Sequence, residues 1–339
     1  MLKRKWVWIL LSLLACAANA KEPCPAGVPR LIIHHAGSLS AALSSVEALY
    51  TQRSGVCVTD VAGGSVSLAR RVTAGRAPTD IYASADFEVI DRMLKPARFA
   101  SYTIRFAAGG MVLAYTTASK GAEEIAASGG ILNPPHAVPD AASDWYMQLI
   151  QPGVRVSGSH PFLDPGGYRA HMIFQLAQDR YRVPNLYSEM LEHYVIANAP
   201  GGLGKAFDYQ FTYEHSARAA AKADKTGAYR YVRLPDALNL GAPGLSKAYA
   251  KSGVTIPGLQ TAGAANMVRI PGSRVTWGLT LMNAAPNREH ALAFLQLLFS
   301  GEGAAILDAA GPAAISPPVV SKRDYARLPA SLKALVRPQ

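Results

Sequence analysis

Three times within its first hundred residues the chain repeats one local pattern. A short β-branched apolar run meets a cluster of Gly, Ala and Ser, and apolar residues then recur at helical spacing. Arg30-Leu31-Ile32-Ile33-His34-His35 ends in Ala36-Gly37-Ser38-Leu39-Ser40 and opens into Leu43, Val46, Leu49 and Tyr50. Val56-Cys57-Val58 leads to Ala62-Gly63-Gly64-Ser65, followed by Val66, Leu68, Ala69 and Val72. Asp80-Ile81-Tyr82-Ala83 passes through Ser84-Ala85-Asp86 to a helix near 87–94. Strand–turn–helix units in series predict an α/β fold with a parallel sheet.

Met111-Val112-Leu113-Ala114-Tyr115 reads as a strand leaving this first lobe, which spans 28–115. Residues 116–232 hold Pro/Gly-rich connections and further α/β units, predicted as a second lobe. Val275 to Leu281 is a late strand and Arg288 to Phe299 an amphipathic helix. The segment 233–339 is therefore expected to return and complete the first lobe, with the Pro/Ala-rich tail after Ala309 wrapping the surface. A chain of 339 residues exceeds what one compact core usually holds, which also argues for two lobes.

Lys3, Arg4 and Lys5 precede the apolar run Trp6 to Ala15, and Ala18-Asn19-Ala20 supplies small residues beyond it. This is the pattern of a secretory signal peptide over residues 1–20, and the run is too short to cross a bilayer core of about 30 Å. A second cleavage reading stands beside it: Leu13-Leu14-Ala15-Cys16 resembles a lipoprotein box in which Cys16 would carry the lipid. Both readings export the protein to the periplasm or its equivalent. There Cys24 and Cys57 either form a disulfide or remain two buried thiols, and their spacing does not decide between these.

The formal charge is +11, and loss of the leader removes three of those charges. The basic residues are scattered with no long run, which excludes nucleic acid as the natural partner and leaves a general attraction for anions. The sequence lacks H-E-x-x-H, C-x-x-C and G-x-S-x-G, so an enzyme is not indicated. Gly201-Gly202-Leu203-Gly204-Lys205-Ala206 has neither the glycine spacing nor the final Ser/Thr of a phosphate loop. His34 and His35 are neighbours on a strand, point to opposite faces and cannot chelate together.

Two of the turns place a Ser after a Gly at a strand end: Gly37-Ser38 and Gly64-Ser65. The first N–H groups of a helix have no partner inside it, and the helix dipole adds partial positive charge there. A Ser hydroxyl contributes another donor, and Gly lets a ligand approach the backbone. Each Ser is also suited to plain helix capping. Two such turns at the carboxyl edge of one sheet make a candidate oxyanion site.

The stretches HAGSLS (35–40), GGSVSLARRV (63–72), TDIYASADFEVI (79–90) and MVLAYT (111–116) carry a family resemblance. So do DWYMQLIQPGVR (144–155), LDPGGYR (163–169), DYQFTY (208–213) and WGLTL (277–281). In this order they resemble the archaeal-type molybdate/tungstate-binding proteins of ABC importers. The resemblance implies a two-lobed type II periplasmic-binding-protein fold, a ligand cleft between the lobes and a membrane permease as partner. It implies molybdate or tungstate as the ligand; the runner-up is another oxyanion such as sulfate, thiosulfate or phosphate, and an enzyme acting on an oxyanion ester is a distant third. A monomer with no cofactor is expected.

Carried over by residue, the implied donors are Ser38 and Ser65 with the amides near Gly37 and Gly64. Asp164 matches the Asp of the DP-x-GYR motif, and Tyr213 matches the family Tyr. The pattern breaks at Thr212, which stands where the family has a Glu that binds the metal centre. Glu214, two residues on, would share a strand face with Thr212, without that spacing alone making it a replacement metal ligand. With Thr212 as a donor, the anion is expected as a tetrahedron held by hydrogen bonds. Asp164 then orients Tyr168 or a backbone amide, makes one contact with the metal, or simply caps a helix before Pro165. Hydrogen bonds to charge contribute roughly 1.5–3 kcal/mol each. Six or seven leave room for a net of about −8 to −12 kcal/mol, which is micromolar to nanomolar binding.

Overall fold

The computed structural model describes residues 24–75, 77–126, 145–196, 201–259 and 266–339. The leader and Cys16 lie outside the described residues. Fourteen strands are described: β1 (Arg30–Ala36), β2 (Cys57–Gly63), β3 (Ile81–Ser84), β4 (Ile104–Ala108), β5 (Met111–Thr116), β6 (Val156–Gly158) and β7 (Tyr194–Ile196). They continue with β8 (Tyr209–Tyr213), β9 (Tyr229–Arg233), β10 (Gly253–Pro257), β11 (Met267–Pro271), β12 (Thr276–Leu281), β13 (Ala313–Val320) and β14 (Arg337–Pro338). The first sheet has the order β14-β13-β4-β12-β3-β1-β2 and the second β7-β6-β8-β5-β9, with β10 and β11 as a separate hairpin.

β1 pairs in parallel with both β2 and β3, as the repeated strand–turn–helix units require. The returning chain inserts β12 antiparallel between β3 and β4. This insertion brings Trp277 into the middle of the first lobe, fully buried, beside a bulge in the β4–β12 ladder. Gly278 follows because a Cβ there would sit 2.7 Å from that of Phe87.

Two expectations are corrected here. Met111–Thr116 belongs to the second sheet, paired with β8 and β9, so the chain crosses at Gly109-Gly110 rather than after residue 115. The tail after Ala309 is not a surface wrap, since β13 pairs with β4 and carries β14. Its prolines mislead in sequence, yet Pro317 and Pro318 fall where the register shifts between Ala314 and Val319 and no ladder bond is required. Cys24 and Cys57 form a disulfide that ties the approach to β1 onto β2.

Candidate functional site

The β1 turn becomes a 3₁₀ turn, Gly37–Leu39, running straight into the helix Ser40–Ser54. Ser38 Oγ accepts a hydrogen bond of 3.0 Å from Trp277 Nε1. The Ser38 carbonyl accepts one of 2.9 Å from His215 Nε2, which reaches over from the helix Glu214–Ala223 of the second lobe. Burial lowers the His215 pKa to about 4, so the ring is neutral near pH 7 with its proton on Nε2. The Tyr213, His215 and Trp277 rings pack together, with 4.9 Å between the Tyr213 and Trp277 centroids.

The β2 turn leads into the helix Ser65–Thr73, with Gly64 as its N-cap residue. Ser65 is fully buried, and its Oγ accepts 3.0 Å from the Ala85 amide. The Leu163 carbonyl of the second lobe accepts from the Ser67 amide at 3.1 Å, so part of this helix N-terminus is satisfied by protein. Gly64 is required for that approach: a Cβ would lie 2.6 Å from Leu163 O and 3.2 Å from Asp164 Oδ2.

Asp164 caps the helix Pro165–Tyr181, its Oδ1 accepting 2.7 Å from the Gly166 amide. Burial raises its carboxyl above the usual range, opposed by the Gly166 bond, Arg169 and a bond from Ser159. One turn along, Tyr168 donates to Asp86 Oδ2 at 2.7 Å. Arg169 Nη1 donates to Ala85 O at 2.8 Å and to Tyr213 Oη at 3.0 Å, while Nη2 lies 3.4 Å from Asp86 Oδ2. Asp86, Tyr168 and Arg169 are each at most 1 % exposed, which places an ion pair in the dry seam between the lobes. Burial pushes the Tyr213 hydroxyl well up, so it stays protonated.

The hydroxyls of Ser38, Ser65 and Tyr213 share one property. Each already accepts from a fixed N–H, of Trp277, Ala85 or Arg169 respectively. Each therefore keeps its own proton to donate. An arrangement of this kind suits an acceptor-only anion.

Residues 31–311 match the profile of the family described as Bacterial extracellular solute-binding protein. The chain belongs to this family. Among sequence relatives of this solute-binding protein is the molybdate/tungstate-binding protein WtpA of Pyrococcus abyssi. It is 29 % identical over 361 residues, covering 97 % of this chain and 96 % of that one. An uncharacterized solute-binding protein of Petrotoga mobilis is 29 % identical over 300 residues, covering 85 % and 84 %. The two-lobed periplasmic-binding-protein fold is shared with the molybdate-binding protein of Azotobacter vinelandii, with TM-score 0.51, 17 % identity and coverage of 84 % and 98 %. It is shared equally with the sulfate-binding protein SubI of Mycobacterium tuberculosis H37Rv, with TM-score 0.53, 14 % identity and coverage of 85 % and 88 %.

The solute-binding protein departs from its sequence reading at two residues. Thr212 lies directly opposite Val112, on the sheet face packed by Ala217 and Tyr231. Phe211 and Tyr213 take the other face, toward Phe174 and Arg169. Alternation along β8 thus keeps Thr212 away from Tyr213 and Asp164. Glu214 starts the next helix and pairs with Arg233. Glu214 and Arg233 line a cavity of about 360 Å³ at the crossover between the sheets, not the serine turns.

Gly37 stands at the β1 turn with nothing within 4 Å of a Cβ built on it. Asp164 orients the Gly166 amide, and Tyr168 is held by Asp86 instead. His34 and His35 find separate partners: His34 bonds Thr79 Oγ1, and His35 bonds the Ala36 carbonyl and Asp60. Asp86, Arg169, His215 and Trp277 were not singled out as site residues in the sequence. Three of these lie within stretches that carry the family resemblance, a signal available for them but not for His215.

Proposed function

We propose that this protein captures molybdate or tungstate between its lobes outside the cytoplasmic membrane and hands it to the permease of an ABC importer. The observation that carries the reading is the trio of hydroxyls at Ser38, Ser65 and Tyr213, each held as a donor by a fixed N–H. Molybdate and tungstate have no proton to give at neutral pH and fit such donors. Hydrogen phosphate brings a proton that needs an acceptor, and is disfavoured. The sequence relatives named for these anions support the same choice.

Of the carboxylates near the seam, Asp86 is committed to Tyr168 and Arg169 and Glu214 to Arg233, which leaves Asp164. The bound anion is therefore expected to stay tetrahedral or gain at most one contact from Asp164. Sulfate is the competing occupant, because it too is an unprotonated dianion and only size separates it. Melting the mature chain with molybdate, tungstate, sulfate or hydrogen phosphate in turn should give the largest rise for the first two. No rise with either sinks the assignment. X-ray absorption on the loaded protein then reads the metal's coordination, where two carboxylate oxygens on the metal would contradict the tetrahedral site.

A further inference from the structure

Four contacts that join the lobes use only groups of the protein. Tyr168 Oη donates to Asp86 Oδ2, Arg169 Nη1 to Ala85 O, His215 Nε2 to Ser38 O, and the Ser67 amide to Leu163 O. Asp86 is the hub of this set. It stands on the turn after β3 in the first lobe, yet two consecutive side chains of a second-lobe helix converge on one of its oxygens. Its other oxygen caps the Glu88 amide at 3.0 Å, which fixes the carboxylate's direction.

We propose that Asp86 is a positioning residue for ligand capture: with Tyr168 and Arg169 it forms a charge-neutral latch that lets the lobes close without ligand, so that the ligand stabilises a conformation already sampled. The electrostatics make the latch one-sided. When the lobes part, Arg169 is hydrated and Asp86 contributes little to it. When they meet, Arg169 enters a dry seam, where its Nη2 has no hydrogen-bond partner and Asp86 is the neighbouring carboxylate. Removing the Asp86 charge therefore penalises the closed form almost alone. Asp86 itself has no hydrogen bond to Ser38, Ser65 or Tyr213 among the described residues, so its loss alters closure without changing which anion the hydroxyls prefer.

The test places spin labels at Ser44 and Ser188, exposed positions on helices of the first and second lobes, and measures their distance distribution in the mature protein. Without ligand, the parent should show a closed population beside the open one. Asp86→Asn, which keeps the oxygen that caps Glu88, should reduce that population about tenfold, and Tyr168→Phe by a smaller factor. Molybdate affinity should fall by the same factors while the ratio of molybdate to sulfate affinity stays fixed. A parent that is wholly open without ligand overturns the proposal, as do identical distributions in parent and Asp86→Asn. The ligand-free arm needs no bound anion, so failure of molybdate to bind counts against the proposed ligand and leaves the latch to be judged on distances.

Discussion

The turn at Ser38 is partly exposed after β1 and takes its fixed donor from the Trp277 side chain, whereas the turn at Ser65 is fully buried after β2 and takes its donor from the Ala85 peptide. Both leave a hydroxyl proton for an anion. They differ in access: the Ser38 hydroxyl stands where water can reach it, while the Ser65 hydroxyl is sealed in the seam. The second lobe sharpens the contrast. It touches the Ser38 turn through the His215 ring, and the Ser65 turn through the Leu163 carbonyl, close enough to require glycine.

The largest effect should come from Gly64→Ala, whose methyl would meet Leu163 O at 2.6 Å. Calorimetry should show affinity reduced about a thousandfold, or about 4 kcal/mol, because the lobes no longer seat. Gly37→Ala is its counterpart and should leave affinity within about twofold, since nothing lies near that position. Equal losses in the two variants would break the comparison.

Acid should come next. Burial holds both His34 and His215 at about 4, below the ordinary 6.5. Their contribution to stability is whole above pH 6.5 and is lost as pH falls toward 4, by roughly 3 kcal/mol for each ring. Urea melts between pH 7 and pH 4 check this, and His215→Gln should flatten part of the slope. An unchanged slope in that variant would remove His215 from the buried set.

Ser65→Ala strands the Ala85 amide in the seam and should weaken molybdate binding about a hundredfold. Ser38→Ala should cost about tenfold, because the Ser38 side chain is partly exposed and water can take its place beside Trp277 Nε1. Equilibrium dialysis of both variants gives the ratio. A larger loss at Ser38 would reverse the account of which turn is sealed.

The sequence disclosed what depends on local pattern. The three strand–turn–helix units, both serines and the helix start at Asp164 follow from periodicity, small residues and a proline at the right place. Trp277 escaped because its role depends on β12 slipping between β3 and β4, an arrangement made by residues far apart in the chain. Asp86 and Arg169 escaped for a related reason: one looks like an ordinary helix cap and the other like an ordinary helix residue until the two lobes face each other. Thr212 was misread because an ungapped match gives a position but not the side of the sheet, and one residue decides the side. The helix beginning at Glu214 likewise ended the strand alternation on which its pairing with Thr212 relied.

The central claim is that hydroxyls held as donors accept a proton-free dianion. It is tested most directly by titrating the mature chain with molybdate in low-salt buffer near neutral pH, with and without excess hydrogen phosphate. Micromolar or tighter binding that phosphate does not displace is the predicted result. Absence of molybdate binding, or displacement by phosphate at comparable concentration, would contradict it.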